Sequence, residues 1–217
     1  MKKLFLLVAI ISVTVVGYSQ NGTEAKALLD EVAQKVEGYN NMYIEFNHKL
    51  DNNDADVHQE TKGNVTLKGD FYHLNYMGTE QIFDGKKLYL IIHEDEEVII
   101  QNPGDNEEET LTPSKMFSFY KNGYTYKMGD LKNIKGVKIQ YVQLMPIDSN
   151  SEITSVLVGI DVKTKHIYNI IEKGTNNTIT TLTVNSFRVN ENISDQIFTF
   201  DKAKYATQKK YTISETN

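Results

Sequence analysis

The chain has no cysteine, no tryptophan, only three prolines and a single arginine, Arg188, among 217 residues. Each shortage excludes something. Without cysteine there is no disulfide, no thiolate nucleophile and no residue to carry an N-terminal lipid anchor. With one arginine and a net charge of −6, a phosphate-tracking surface is not expected, so neither nucleic acid nor an anionic membrane surface fits as a partner. Scarce proline leaves strands uninterrupted. Long hydrophobic runs are also scarce, and the one present lies at the start of the chain.

That run, Leu4 to Val16, follows Lys2 and Lys3 and precedes Gly17-Tyr18-Ser19. The pattern is that of a secretory signal peptide with cleavage near Ser19. At about 13 residues it falls short of the ~20 that a bilayer span needs. Residues 1–19 are therefore expected to be a signal peptide and residues 20–217 a single untethered domain, placed in the periplasm of a two-membrane bacterium.

Tyrosine, threonine, valine and isoleucine are abundant, which favours sheet. From Phe71 to Gln101 apolar and polar residues alternate and are interrupted at Met77-Gly78-Thr79 and Asp84-Gly85-Lys86. Alternation broken by such dipeptides predicts a β-meander with tight hairpins. Before it, Met42 to Leu50 puts Met42, Ile44, Phe46 and Leu50 on one face, and Val57 to Leu67 returns, with Gly63 marking a bulge or a strong bend. After it come segments at Tyr124–Met128, Val137–Met145, Ile153–Val162, His166–Glu172 and Thr178–Val189, and Asp195–Phe200 is expected to be a last edge strand or a docking segment. The tail from Tyr205 has no clear pattern.

Two stretches have helical spacing. Asn21-Gly22-Thr23-Glu24 reads as an N-cap followed by Ala25, Leu28, Leu29, Val32, Ala33 and Val36, with Gly38 closing the helix. Thr112-Pro113-Ser114 reads as the start of a second, aromatic helix carrying Met116, Phe117, Phe119 and Tyr120. Either helix serves as plain cover for a core or as a lid over a ligand.

The motifs of hydrolases, zinc proteases, nucleotide-binding loops and dinucleotide folds are missing. His48, His58, His73, His93 and His166 are scattered, and His48 falls in phase with the apolar face of its strand. The reading is of a non-enzyme without cofactor or metal. What remains is an apolar sheet face and two apolar helices. The fold class expected is α+β: one curled antiparallel sheet, an unclosed barrel of ten to eleven strands, with helices over its concave face.

The phrase Ile82-Phe83-Asp84-Gly85-Lys86-Lys87-Leu88-Tyr89, taken with the N-terminal helix, Tyr43-Ile44-Glu45-Phe46, Gly63, Phe71–Tyr76 and Ile197-Phe198-Thr199-Phe200, resembles the LolA-type carriers of outer-membrane lipoproteins. The resemblance implies a lidded, unclosed barrel that takes lipoprotein acyl chains from an inner-membrane ABC transporter and hands them to an outer-membrane acceptor; the protein is expected to be a monomer. The family's basic-Pro segment with its lid-latching arginine is replaced here by Lys68-Gly69-Asp70. Burying a chain of about 15 methylenes is worth up to ~12 kcal/mol, so such chains do not cross water unaided. The candidate cavity residues are Ile44, Phe46, Tyr72, Leu74 and Tyr76, with Leu28, Val32, Met116, Phe117 and Phe119 in the lid. An envelope sensor of the same fold, binding lipid or peptide without transport, is the alternative.

Overall fold

Twelve strands form one sheet in the computed structural model, which describes residues 16–102 and 117–216. The signal-peptide assignment lies largely outside the described residues. A first meander runs through β1 (Met42–Asn52), β2 (Val57–Lys68), β3 (Phe71–Tyr76), β4 (Thr79–Phe83), β5 (Leu88–Ile92) and β6 (Glu97–Gln101). A second runs through β7 (Tyr124–Ile134), β8 (Val137–Pro146), β9 (Ile153–Asp161), β10 (Ile167–Gly174) and β11 (Ile179–Val189). The two join where β1 pairs with β11. The strand beyond the expected ten or eleven is β12 (Thr212–Thr216), which pairs with β6 and makes the only parallel ladder among the described residues. The sheet order therefore ends at β12 on one side and β7 on the other, and the barrel is unclosed.

Local chemistry sets the hairpins. Met77 and Gly78 have φ of 51° and 74° between the paired residues Tyr76 and Thr79, a two-residue turn whose twist suits the flanking strands. At the next turn only Gly85 takes a positive φ, 83°. Asp84 works through its side chain instead, accepting from the backbone N–H groups of Lys86 and Lys87 at 2.9 and 2.8 Å.

The helix α1 (Val16–Glu37) begins before the Asn21 cap that the sequence suggests. Asn21 is used elsewhere: its Oδ1 accepts from the backbone N–H of Met128 at 2.5 Å and ties the helix to β7. Ala25, Leu29, Val32, Ala33 and Val36 are buried at helical spacing and join the core formed by the inward residues of the sheet. This stripe covers the β7 and β8 side of the inner face, and the turn at 117–121, tied to it through Tyr120 and Asp30, completes the cover.

The second apolar cluster lies on the other face of β4 to β6. Ile82, Ile91, Val98 and Ile100 are buried there beneath Tyr205, with Phe200, Tyr211 and Ile213 around them. Asp195–Phe198 forms a 3₁₀ turn rather than an edge strand, its Phe198 ring 5.9 Å from that of Phe71. The chain then stacks Phe200 on Tyr89 and on Tyr205, makes one π-helical turn at Lys204–Gln208 and ends in β12. This strap hides the apolar outer face that a lone hairpin would expose.

Under the strap, the Glu80 carboxylate has His73 Nε2 2.9 Å from one oxygen, while its other oxygen accepts from the Tyr205 hydroxyl at 2.9 Å and lies 3.5 Å from His93 Nε2. The His73 contact, working against burial and helped by Tyr205 and His93, draws the carboxyl down from 4.5 to about 2. A folded pKa below the unfolded one means the stabilisation is complete above pH 4.5 and is lost as pH falls towards about 2. Glu80→Gln is expected to flatten the dependence of the melting temperature on pH through that window. Parallel melting profiles for the two proteins would remove the role assigned to Glu80.

Candidate functional site

Between the seam of the two meanders and the cover lies a cavity of about 310 Å³. The seam pairs build it, because inward residues on β1 face inward residues on β11. Ile44 is opposite Phe187, Phe46 opposite Val184 and His48 opposite Leu182, and all six line the space. Val65 on β2, Leu74 and Tyr76 on β3, and Ile167 and Ile170 on β10 complete the wall, with Phe117 reaching in from the cover. Among the described lining residues only His48 and Tyr76 carry polar side-chain atoms, and their 2.8 Å contact joins the His48 Nδ1 to the Tyr76 hydroxyl.

Wall shape depends on Gly63, which pairs with Phe46 on one side and Tyr76 on the other. A β-carbon at Gly63 would stand 2.4 Å from Phe46 Cζ and 3.0 Å from the Asn75 carbonyl oxygen. The Phe46 ring thus lies over the glycine, 5.7 Å from the Tyr76 ring. Of the two readings of Gly63, bulge or strong bend, the bulge is absent, since both of its ladders keep register there. The irregularity falls instead opposite Glu45 and Phe46, where Asn185 is the extra residue on β11, and it re-aims β11 at the seam.

Of the residues singled out from the sequence, Ile44, Phe46, Leu74, Tyr76 and Phe117 meet at the cavity. Tyr72 does not. It is 1% exposed, packed at 5.7 Å against Phe83, and its hydroxyl has no partner among the described residues. Burial pushes the Tyr72 phenol up to about 12. Val32 is buried in the core beneath α1 and Leu28 is half-buried against it, neither on the cavity wall, because α1 packs chiefly on β7 and β8. Met116 lies outside the described residues. The second helix is represented by a short turn at 117–121, in which Phe119 packs on Tyr120 and Tyr124.

Sequence reasoning missed the far wall. Leu182, Val184 and Phe187 alternate along β11, but the bulge shifts Phe187 out of phase, and nothing in the sequence says which strand β11 pairs with. His48 was visible only as an imidazole in phase with apolar neighbours.

The cover is held by polar contacts. Tyr120 donates to Asp30 Oδ1 at 3.0 Å, Lys26 to Asp30 Oδ2 at 2.7 Å, and Tyr126 to the Tyr120 carbonyl at 2.6 Å. Burial alone would raise the Asp30 carboxyl, yet the bonds from Lys26 and Tyr120 bring it below its ordinary value. Lys68, at the place where the resemblance lacks its arginine, pairs with Asp195 and takes no part in this tie. A second hollow of about 210 Å³ lies under the end of α1, with Met42, Leu67 and Val36 in its wall. Phe117 lines both spaces and stands between them. At the corner behind Phe187, His166 stacks on that ring at 4.1 Å and meets the Tyr39 hydroxyl at 2.7 Å through Nε2. Burial, with Lys35 nearby, holds the His166 imidazole below its usual pKa.

No protein-family model and no curated protein matches this sequence. Among solved structures the chain is similar to an uncharacterized conserved protein from Thermus thermophilus, with a TM-score of 0.58 and 8% identity over 89% of this chain and 99% of that one. It is also similar to a LolA superfamily protein from Nitrosomonas europaea (TM-score 0.43, 12% identity, 81% of this chain and 97% of that one). A third is a putative outer membrane lipoprotein-sorting protein domain from Vibrio parahaemolyticus (TM-score 0.40, 13% identity, 80% of this chain and 97% of that one). At these identities the likeness concerns the fold.

Gly63→Ala is expected to drive the Phe46 ring into the cavity and to cost about 1–3 kcal/mol, the range for overpacking. In a Phe46→Leu background the same change should cost less, because the obstructing ring is gone. Urea melts of the four proteins, arranged as a double-mutant cycle, check the coupling.

Proposed function

We propose that this protein is a periplasmic carrier that holds the acyl chains of lipoproteins in the seam cavity and shuttles them from the inner to the outer membrane. The observation that carries the reading is the wall itself: a preformed space of about 310 Å³ lined by aliphatic and aromatic side chains, with one imidazole–phenol pair. That volume is at the lower end of small-ligand sites, which run from ~300 Å³ upward. It suits one chain, and the hollow behind Phe117 offers room to extend. Chain burial supplies the grip at ~0.8 kcal/mol per methylene.

Export to the periplasm rests on the signal-peptide pattern, and the donor transporter and outer-membrane acceptor rest on the family resemblance. Among the described residues no helix is long and apolar enough to cross a membrane. The reading is tested by stripping the protein of lipid and offering a fluorescent acylated peptide. Saturable uptake is expected, and deletion of the gene should strand lipoproteins in the inner membrane. A stripped, folded protein that takes up no acyl probe would sink it.

Two substitutions sharpen the test. Val184→Glu sets a carboxylate on the wall, where charge is costly without a partner, and is expected to weaken acyl-probe binding by at least tenfold while the circular dichroism spectrum is kept. Phe117→Ala opens the partition between the two hollows and should shift preference towards longer chains, read from a series of probes of increasing chain length.

A further inference from the structure

His48 and Tyr76 stand at the end of the cavity remote from Phe117: the β1 register runs from Met42, beside Phe117 in the smaller hollow, through Ile44 and Phe46 to His48. Their rings meet edge-on at 5.6 Å, and the Tyr76 hydroxyl lies 2.8 Å from Nδ1. That contact uses one ring nitrogen. When the phenol donates to Nδ1, the neutral imidazole carries its proton on Nε2. Among the described residues nothing accepts from that nitrogen. His48 is half-buried, and a hydrogen-bond donor without a protein acceptor, on a wall otherwise free of polar side chains, is available to a ligand atom.

We infer that His48, oriented by Tyr76, is the group that recognises the carbonyl oxygen at the head of a bound acyl chain. The inference rests on the acyl-carrier reading and adds direction and chemical class to it: hydrocarbon towards Phe117, acyl oxygen at His48. The donor set decides the class. A phosphate or sulfate head calls for cations or several converging N–H groups, and among the described residues no lysine or arginine lines this cavity. One neutral N–H matches one carbonyl oxygen. An ester, an amide and a free fatty acid all present that oxygen, whereas an alkane or an ether chain does not.

The test uses full-length, lipid-stripped protein and two probes that differ only at that atom: 1-palmitoyl lysophosphatidylcholine and its 1-O-hexadecyl ether counterpart, titrated by calorimetry. The ester is expected to bind about fivefold more tightly, the size of one net hydrogen bond. His48→Leu should bind both alike, with ether affinity within about twofold of wild type because the hydrocarbon wall is retained. His48→Gln keeps an N–H donor and should keep a preference for the ester. Equal affinity of the wild type for the two lipids overturns the inference and leaves the carrier reading standing. So does a preference that survives in His48→Leu, or one lost in a folded His48→Gln. Failure of the wild type to bind either lipid overturns both.

Discussion

The pairing of β1 with β11 is the contact on which the molecule depends. Without it the chain is two separate meanders, each with an apolar face and two open edges, and neither has enough partner surface to bury that face. The seam joins positions such as Asn40 and Asn190 that are 150 residues apart, so loop-closure entropy opposes it. What offsets the cost is that the seam is also where side chains from the two halves meet. Ile44 and Phe187, Phe46 and Val184, and His48 and Leu182 are at once ladder partners and cavity wall. Structure and site are therefore one interaction. A change that loosens this ladder alters the cavity before it unfolds the sheet.

The open edges are treated differently. At β6 the chain supplies its own parallel strand, β12, secured by the Lys87–Glu215 ion pair and by the stack of Tyr89, Phe200 and Tyr205. The strap covers an outer face that would otherwise present Ile82, Ile91, Val98 and Ile100 to water. At the far side β7 carries α1 on its inner face, and its outward residues are mainly exposed and polar.

This asymmetry explains what could be read from the sequence and what could not. The hairpin at Asp84-Gly85 was legible because turn chemistry is local. The stripe from Ala25 to Val36 was legible because its period is local too, although the start of α1 was not, since Asn21 is claimed by a backbone N–H from β7. The segment Lys87 to His93 is apolar on both faces, and sequence parity alone gave no answer. The structure shows why: Leu88 faces the main core while Tyr89 and Ile91 face the strap. The strap in turn was illegible because its few aromatic residues acquire meaning only against β4 to β6. Gly63 was recognised as special, yet the reason is a ring from a neighbouring strand, and sequence spacing holds no record of that neighbour. Tyr72 has the same parity as Leu74 and Tyr76 and still misses the cavity, because curvature of the sheet decides which inward residues meet.

Curvature also bears on why the space is not filled. Close packing is the rule for protein interiors, and a void of this size forfeits dispersion contacts along its whole lining. Here the walls have nowhere to go. The Phe46 ring is fixed over Gly63, Phe187 is held by its stack with His166, and Tyr76 is held by His48. Collapse would require moving aromatic groups that are each secured by a separate partner. The cover has no such constraint. Its polar tie joins the buried Tyr120 to the partly exposed Asp30 carboxylate, a bond to a charged group worth about 1.5–3 kcal/mol, far less than the hydrocarbon burial of a full chain. On the carrier reading, a chain would pass this polar tie without unfolding the sheet, and the strength of holding would be set by how many methylenes the wall can reach.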